Sequence, residues 1–182
     1  GEWLVKLQNS DGGFPTFSKG WGKLPFDQSC ADLTGHAFLA IAALLANFKN
    51  EISASQKRKL VKSLKISGHY LYRNQREDGA WLPLWFGNQH TKNHENPVYG
   101  TARVLTYLDD SLPYIEEHSG LFRKVLTMIA LGEKFLVSVQ NEDGSWGGDK
   151  NINGTIEETS LVISALQKKE FEEKVSLAFN WL

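Results

Sequence analysis

Asp32 and His36 stand four residues apart near an expected helix start, a spacing that lets two side chains project from one helix face. Two readings stand: the pair serves a common site, or Asp32 caps the helix and His36 is an ordinary polar residue. Cys30, Asp27, Asp32 and His36 are residue types that bind zinc, gathered within ten residues. The cluster is not taken for a zinc site, and no metal is expected. His90 and His94 share the spacing of a metal-binding helix but lie in a polar loop, and a solvated pair is the simpler reading. Lys57-Arg58-Lys59 is too short a basic run for a nucleic-acid site. The single cysteine excludes an internal disulfide and a cysteine-only zinc cage.

The elements that must hold these residues are written as a repeat. Trp3-Leu4, Gln8, Asp11-Gly12 and Phe14 form one copy. Tyr70-Leu71, Gln75, Asp78-Gly79 and Trp81 form a second, and Phe135-Leu136, Gln140, Asp143-Gly144 and Trp146 a third. The glutamines are 67 and 65 residues apart. Recurrence at that period marks a repeat architecture. Apolar residues precede the later copies at helical spacing: Leu60, Val61, Leu64, Tyr70 and Leu71, then Leu121, Val125, Ile129, Phe135, Leu136 and Val139. Asp-Gly should stop each helix, because Gly tolerates positive φ and Asp favours turns. Second helices are expected over Thr34–Phe48, Thr101–Leu108 and Glu158–Leu166, with Glu51–Lys59 as a polar connection. Such helix pairs bury a core only by stacking on their neighbours. The long loop between Trp81 and Thr101 is a candidate functional segment.

With 20 basic and 21 acidic residues, the charge of −1 predicts no polyanion partner. The apolar run from Ala37 to Ala46 is too short to cross a bilayer. Trp3 lies almost at the start, and Ala178 to Leu182 reads as the opening of a fourth copy, so an excerpt with about six helices is expected.

The three copies resemble the QW repeats of squalene–hopene and oxidosqualene cyclases. Asp32-Leu-Thr-Gly-His36 is similar to their Asp-Val-Thr-Ala-His segment. Trp85-Phe86-Gly87 with Asn96 to Thr101 is similar to Trp-Gly-x-Asn-Tyr-x-Tyr-Gly-Thr. Gln140 to Gly148 is similar to Gln-x-x-Asp-Gly-Gly-Trp-Gly-Glu, and the order of these landmarks agrees. The resemblance implies an all-α fold, an α/α toroid, with residues 1–182 as one partial barrel of paired helices from a longer cyclase. It implies a linear polyene such as squalene as substrate, no metal or organic cofactor, and a monotopic parent on the cytoplasmic side of a membrane. His36 would hydrogen-bond the acid that protonates the polyene, strengthening it, and Asp32 would orient His36. Trp85 and Tyr99 would line the cavity and stabilise cations through their ring faces. Phe14, Phe17 and Trp21 are expected to pack in the core.

The glutamines and turn aromatics, Gln8 with Phe14, Gln75 with Trp81 and Gln140 with Trp146, would brace the shell, the amides bonding backbone groups left open at helix ends. The family's Asp-x-Asp-Asp acid is absent from these 182 residues. Asp109-Asp110 lacks the first Asp and falls at an expected helix end, so this piece alone is expected to be inactive. Two other readings are a non-catalytic repeat scaffold that binds a lipid or forms a homodimer through an exposed inner face, and a relative of the zinc-dependent prenyltransferases.

Overall fold

Side-chain caps open three of the helices. Ser53 Oγ accepts from the Gln56 amide and Gln56 Oε1 accepts from the Ser53 amide, a reciprocal box that opens a helix at Ala54. Residues 54–59 of the expected connection Glu51–Lys59 are therefore helical. Asn96 Oδ1 accepts from the Tyr99 amide, with Pro97 in the first helical position, where its missing N–H costs nothing. Thr155 accepts from the Glu158 amide and opens a helix at Ile156.

The computed structural model describes residues 1–19, 24 and 27–182; Trp21 lies outside the described residues. Its helices are α1 (Glu2–Leu7), α2 (Ala31–Asn47), α3 (Ala54–Asn74), α4 (Pro97–Ile115), α5 (Ser119–Ser138), α6 (Ile156–Ala165) and α7 (Glu172–Trp181). A two-residue antiparallel pair, β1 (Phe14–Pro15) with β2 (Ser29–Cys30), is too short for a sequence pattern to announce. The fold is all-α apart from this ladder.

Several boundaries differ from the sequence reading. Thr34 and Thr101 do not open their helices but lie inside them, Thr159 lies near the start of α6 as expected, and all three hydroxyls are engaged by the preceding turns rather than by a cap. α4 also runs to Ile115, which puts Asp109 and Asp110 within the helix instead of at its end. Phe14 is buried as expected, whereas Phe17 is 75% exposed. The chain leaves the short ladder at Pro15 and turns the following side chains outward.

The chain divides into two compact units. The first comprises residues 1–75 and 107–128, the second 76–106 and 129–182. In the first, α2 packs on α3, and Phe38, Ile41, Leu64, Leu71, Ile115 and Met128 are buried. Gly68 lets Leu121 and Phe38 approach α3 closely. In the second, Trp81, Leu105, Leu136, Trp146, Val162 and Leu166 are buried, and α6 packs on α7.

Candidate functional site

The repeated turns are built from the same bonds. In each, the Gly amide donates three residues back, from Gly12 to Asn9 O, Gly79 to Arg76 O and Gly144 to Asn141 O. The Asp side chain closes an Asx turn: Asp11, Asp78 and Asp143 each accept, at 3.0 Å, from the amide two residues on. The Ser145 hydroxyl also donates to Asp143 at 2.6 Å, and these bonds hold that carboxyl below its ordinary value.

The aromatic that follows is tied by a threonine. Phe14, Trp81 and Trp146 donate their amides to Thr34, Thr101 and Thr159 Oγ1 at 2.9, 2.9 and 3.0 Å. Each threonine thus satisfies a buried donor, a role its helical position alone does not reveal.

Gln8 Nε2 donates to Ser63 O at 3.1 Å, Gln75 Nε2 to Met128 O at 2.9 Å and Gln140 Nε2 to Lys174 O at 3.0 Å. These carbonyls lie within α3, α5 and α7, not at open helix ends as expected. A carbonyl has two lone pairs and can take a second donor there. Three residues further along these helices, the backbone of Ile66, Leu131 and Leu177 is pressed by Gly12, Gly79 and Gly144. Trp181 stands seven residues after Lys174, as Tyr70 follows Ser63 and Phe135 follows Met128.

Asp32 and His36, both in the first unit, have different surroundings. Asp32 is 7% exposed and accepts a hydrogen bond from the Cys30 thiol. Tyr70 is buried close by; burial foremost, then Asp11, Cys30 and Asp32, pushes its phenol above the ordinary range. His36 is exposed on the side of α2 away from Phe38, Ile41 and Ala42. Its ring stacks on Tyr107 of α4, centroids 4.9 Å apart and planes within 12°. No hydrogen bond joins Asp32 to His36, and neither ring nitrogen of His36 bonds a described residue. Among the described residues, no group of three or more His, Cys, Asp or Glu side chains is placed to hold a metal ion.

Trp85 and Tyr99 belong to the second unit. Tyr99 is 8% exposed and stacks on Phe86 at 4.5 Å, while Trp85 is 45% exposed. The loop that carries Trp85 and leads into α4 is anchored by Glu158, a buried carboxylate at the start of α6. Its Oε1 accepts from Asn96 Nδ2 at 2.9 Å and Asn88 Nδ2 at 3.2 Å, and its Oε2 from the Thr155 hydroxyl. Val98 N also donates to Gly148 O at 3.2 Å. His90 and His94 do not share a helix; the loop's one helical turn is Lys92–His94, with Asn93 at φ 60°. The sequence reading missed Tyr107, Asn88, Asn96 and Glu158. Asn96-Pro97 and Thr155-x-x-Glu158 are helix-start signals that point to two of these positions; no local pattern points to Tyr107 or Asn88.

A family model, the squalene–hopene cyclase C-terminal domain, matches residues 1–161. The chain is 28% identical over 205 aligned positions to the enfumafungin synthase of Hormonema carpetanum, covering all of this chain and 14% of that protein. It is 25% identical over 203 positions to a squalene–hopene cyclase of Zymomonas mobilis, covering all of this chain and 27% of that one. A squalene hopane cyclase of Aspergillus fumigatus is 28% identical over 177 positions, covering 80% of this chain and 22% of its own length. The chain thus spans between about a seventh and a quarter of these relatives. With its three bonded Gln-Asp-Gly turns and a family match over most of its length, this all-α chain belongs to the squalene–hopene cyclase family, through that family's C-terminal domain.

Proposed function

We propose that the chain works as part of a longer triterpene cyclase, in which a linear polyene such as squalene is protonated and cyclised. The observation that carries this beyond family membership is His36, exposed and held by its ring face, with both nitrogens unspent inside the described chain. An imidazole so presented suits a hydrogen bond to a carboxylic acid supplied from elsewhere. A cationic imidazole there stabilises the carboxylate left after proton transfer, which strengthens the acid toward a weak base such as an alkene. Asp32 supports the start of α2 through Cys30, and Trp85 and Tyr99 line the polyene's cavity. Without an Asp-x-Asp-Asp, the chain alone is inactive.

His36→Ala in the full-length protein tests this. Turnover should fall by at least about a hundredfold, the scale of acid–base contributions, while thermal stability changes little. Unchanged turnover removes the role assigned to His36.

We also place the parent at a membrane surface on its cytoplasmic side. No helix among the described residues is long and apolar enough to cross a bilayer. Support for a peripheral contact comes from α3, whose 21 residues carry Lys57, Arg58, Lys59, Lys62, Lys65 and Arg73 and no acidic residue. A second reading, a scaffold that pairs with another copy, draws on exposed apolar side chains such as Ile156, 71% exposed. A strictly monomeric chain in light scattering ends that reading.

A further inference from the structure

We propose that Tyr107 is the positioning residue for His36, fixing the plane of the imidazole while leaving both its nitrogens available. The inference rests on the role given to His36 above and adds a residue to it. The family resemblance implies that Asp32 orients His36, but the Asp32 carboxylate is buried and takes its hydrogen bond from the Cys30 thiol. What touches the His36 ring is Tyr107, half-buried on α4, across a nearly parallel stack of 4.9 Å and 12°. Both residues lie in the first unit.

The chemistry of the contact decides its use. The donor and acceptor directions of an imidazole lie in its ring plane. A hydrogen bond from a ring N–H to a carboxylate would orient the ring but would consume one nitrogen. A face contact restrains the plane and consumes neither. His36 can then offer one nitrogen to an acid and the other to solvent or a second acceptor. The phenol ring is thus suited to hold an imidazole whose partner comes from outside the described chain.

Two measurements test the proposal. In the isolated chain, the ring protons of His36 should show an upfield ring-current shift by NMR. The shift should persist in Tyr107→Phe and vanish in Tyr107→Leu. A wild-type His36 without that shift overturns the proposal and needs no variant to fold. In the full-length enzyme, Tyr107→Leu should lower kcat about two- to tenfold, the range of an aromatic pair, with KM nearly constant. Tyr107→Phe, which keeps the ring, should restore most of the loss; a Phe variant as impaired as the Leu variant overturns the proposal. His36→Ala separates the two inferences. If it leaves turnover unchanged, the role of His36 fails. If it abolishes turnover while Tyr107→Leu loses the ring-current shift but not kcat, the role of Tyr107 alone fails.

Discussion

Thr101 shows how much one hydroxyl can decide. Its Oγ1 accepts the Trp81 amide at 2.9 Å, and both residues are fully buried. No water can replace that acceptor without opening the core around the Trp81 indole. Thr101→Val keeps the shape and removes the acceptor, leaving a buried N–H unpaired. The variant should lose about 1–3 kcal/mol in a denaturant titration, and Thr101→Ser should recover most of it. A Val variant with an unshifted midpoint would show that the bond contributes nothing. The sequence pattern starts the expected second helices at Thr34 and Thr101 and beside Thr159, and assigns the hydroxyls no partner. Their actual partners lie 20, 20 and 13 residues back, and no local rule of capping reaches so far.

At the scale of the element, the turn docks on a neighbouring helix, and glycine is required twice over. Gly79 has φ +95°, where L side chains are strained, and a Cβ on it would run into the Leu131 carbonyl. Gly120, in the first turn of α5, has open space around it and no positive φ. The same substitution should therefore have opposite signs. Gly79→Ala should destabilise by more than about 1 kcal/mol, and Gly120→Ala should stabilise by about 0.4–1 kcal/mol through the unfolded chain. Thermal melts of the two variants check this; a neutral Gly79→Ala would mean that the turn can shift off α5. The Asp-Gly dipeptide makes the turn legible in the sequence. The carbonyl it rests on is not, because it lies 52 residues away and is specified by packing alone.

For the whole molecule, a steady period of Gln-Asp-Gly turns made the all-α repeat readable, since each copy carries its helix stop within a few residues. The candidate site was readable only in part. His36 and Asp32 share a helix as expected, but their partners, Tyr107 and Cys30, are set by how α2 meets α4 and by the short β pair. Charge distribution also emerges only at this scale. The chain is nearly neutral, with 20 basic and 21 acidic residues, yet α3 holds six of the basic ones and none of the acidic ones. Arg58, Lys62, Lys65, Ile66, His69, Tyr72 and Arg73 are exposed at spacings that make one helix face. Lys124 of α5 adds a cation over the Tyr72 ring at 4.5 Å. Apolar Ile66 and Tyr72 among these cations suit an anionic lipid headgroup layer, where each basic residue near the surface contributes about 1 kcal/mol. The chain should sediment with vesicles of phosphatidylcholine containing phosphatidylglycerol and much less with phosphatidylcholine alone. Binding should weaken as salt shortens the reach of the charges. Lys62→Glu with Lys65→Glu should lower partitioning by at least about tenfold, because two attractions become two repulsions. Equal binding to neutral and anionic vesicles, or a doubly reversed variant that binds as wild type, would remove this face as the contact.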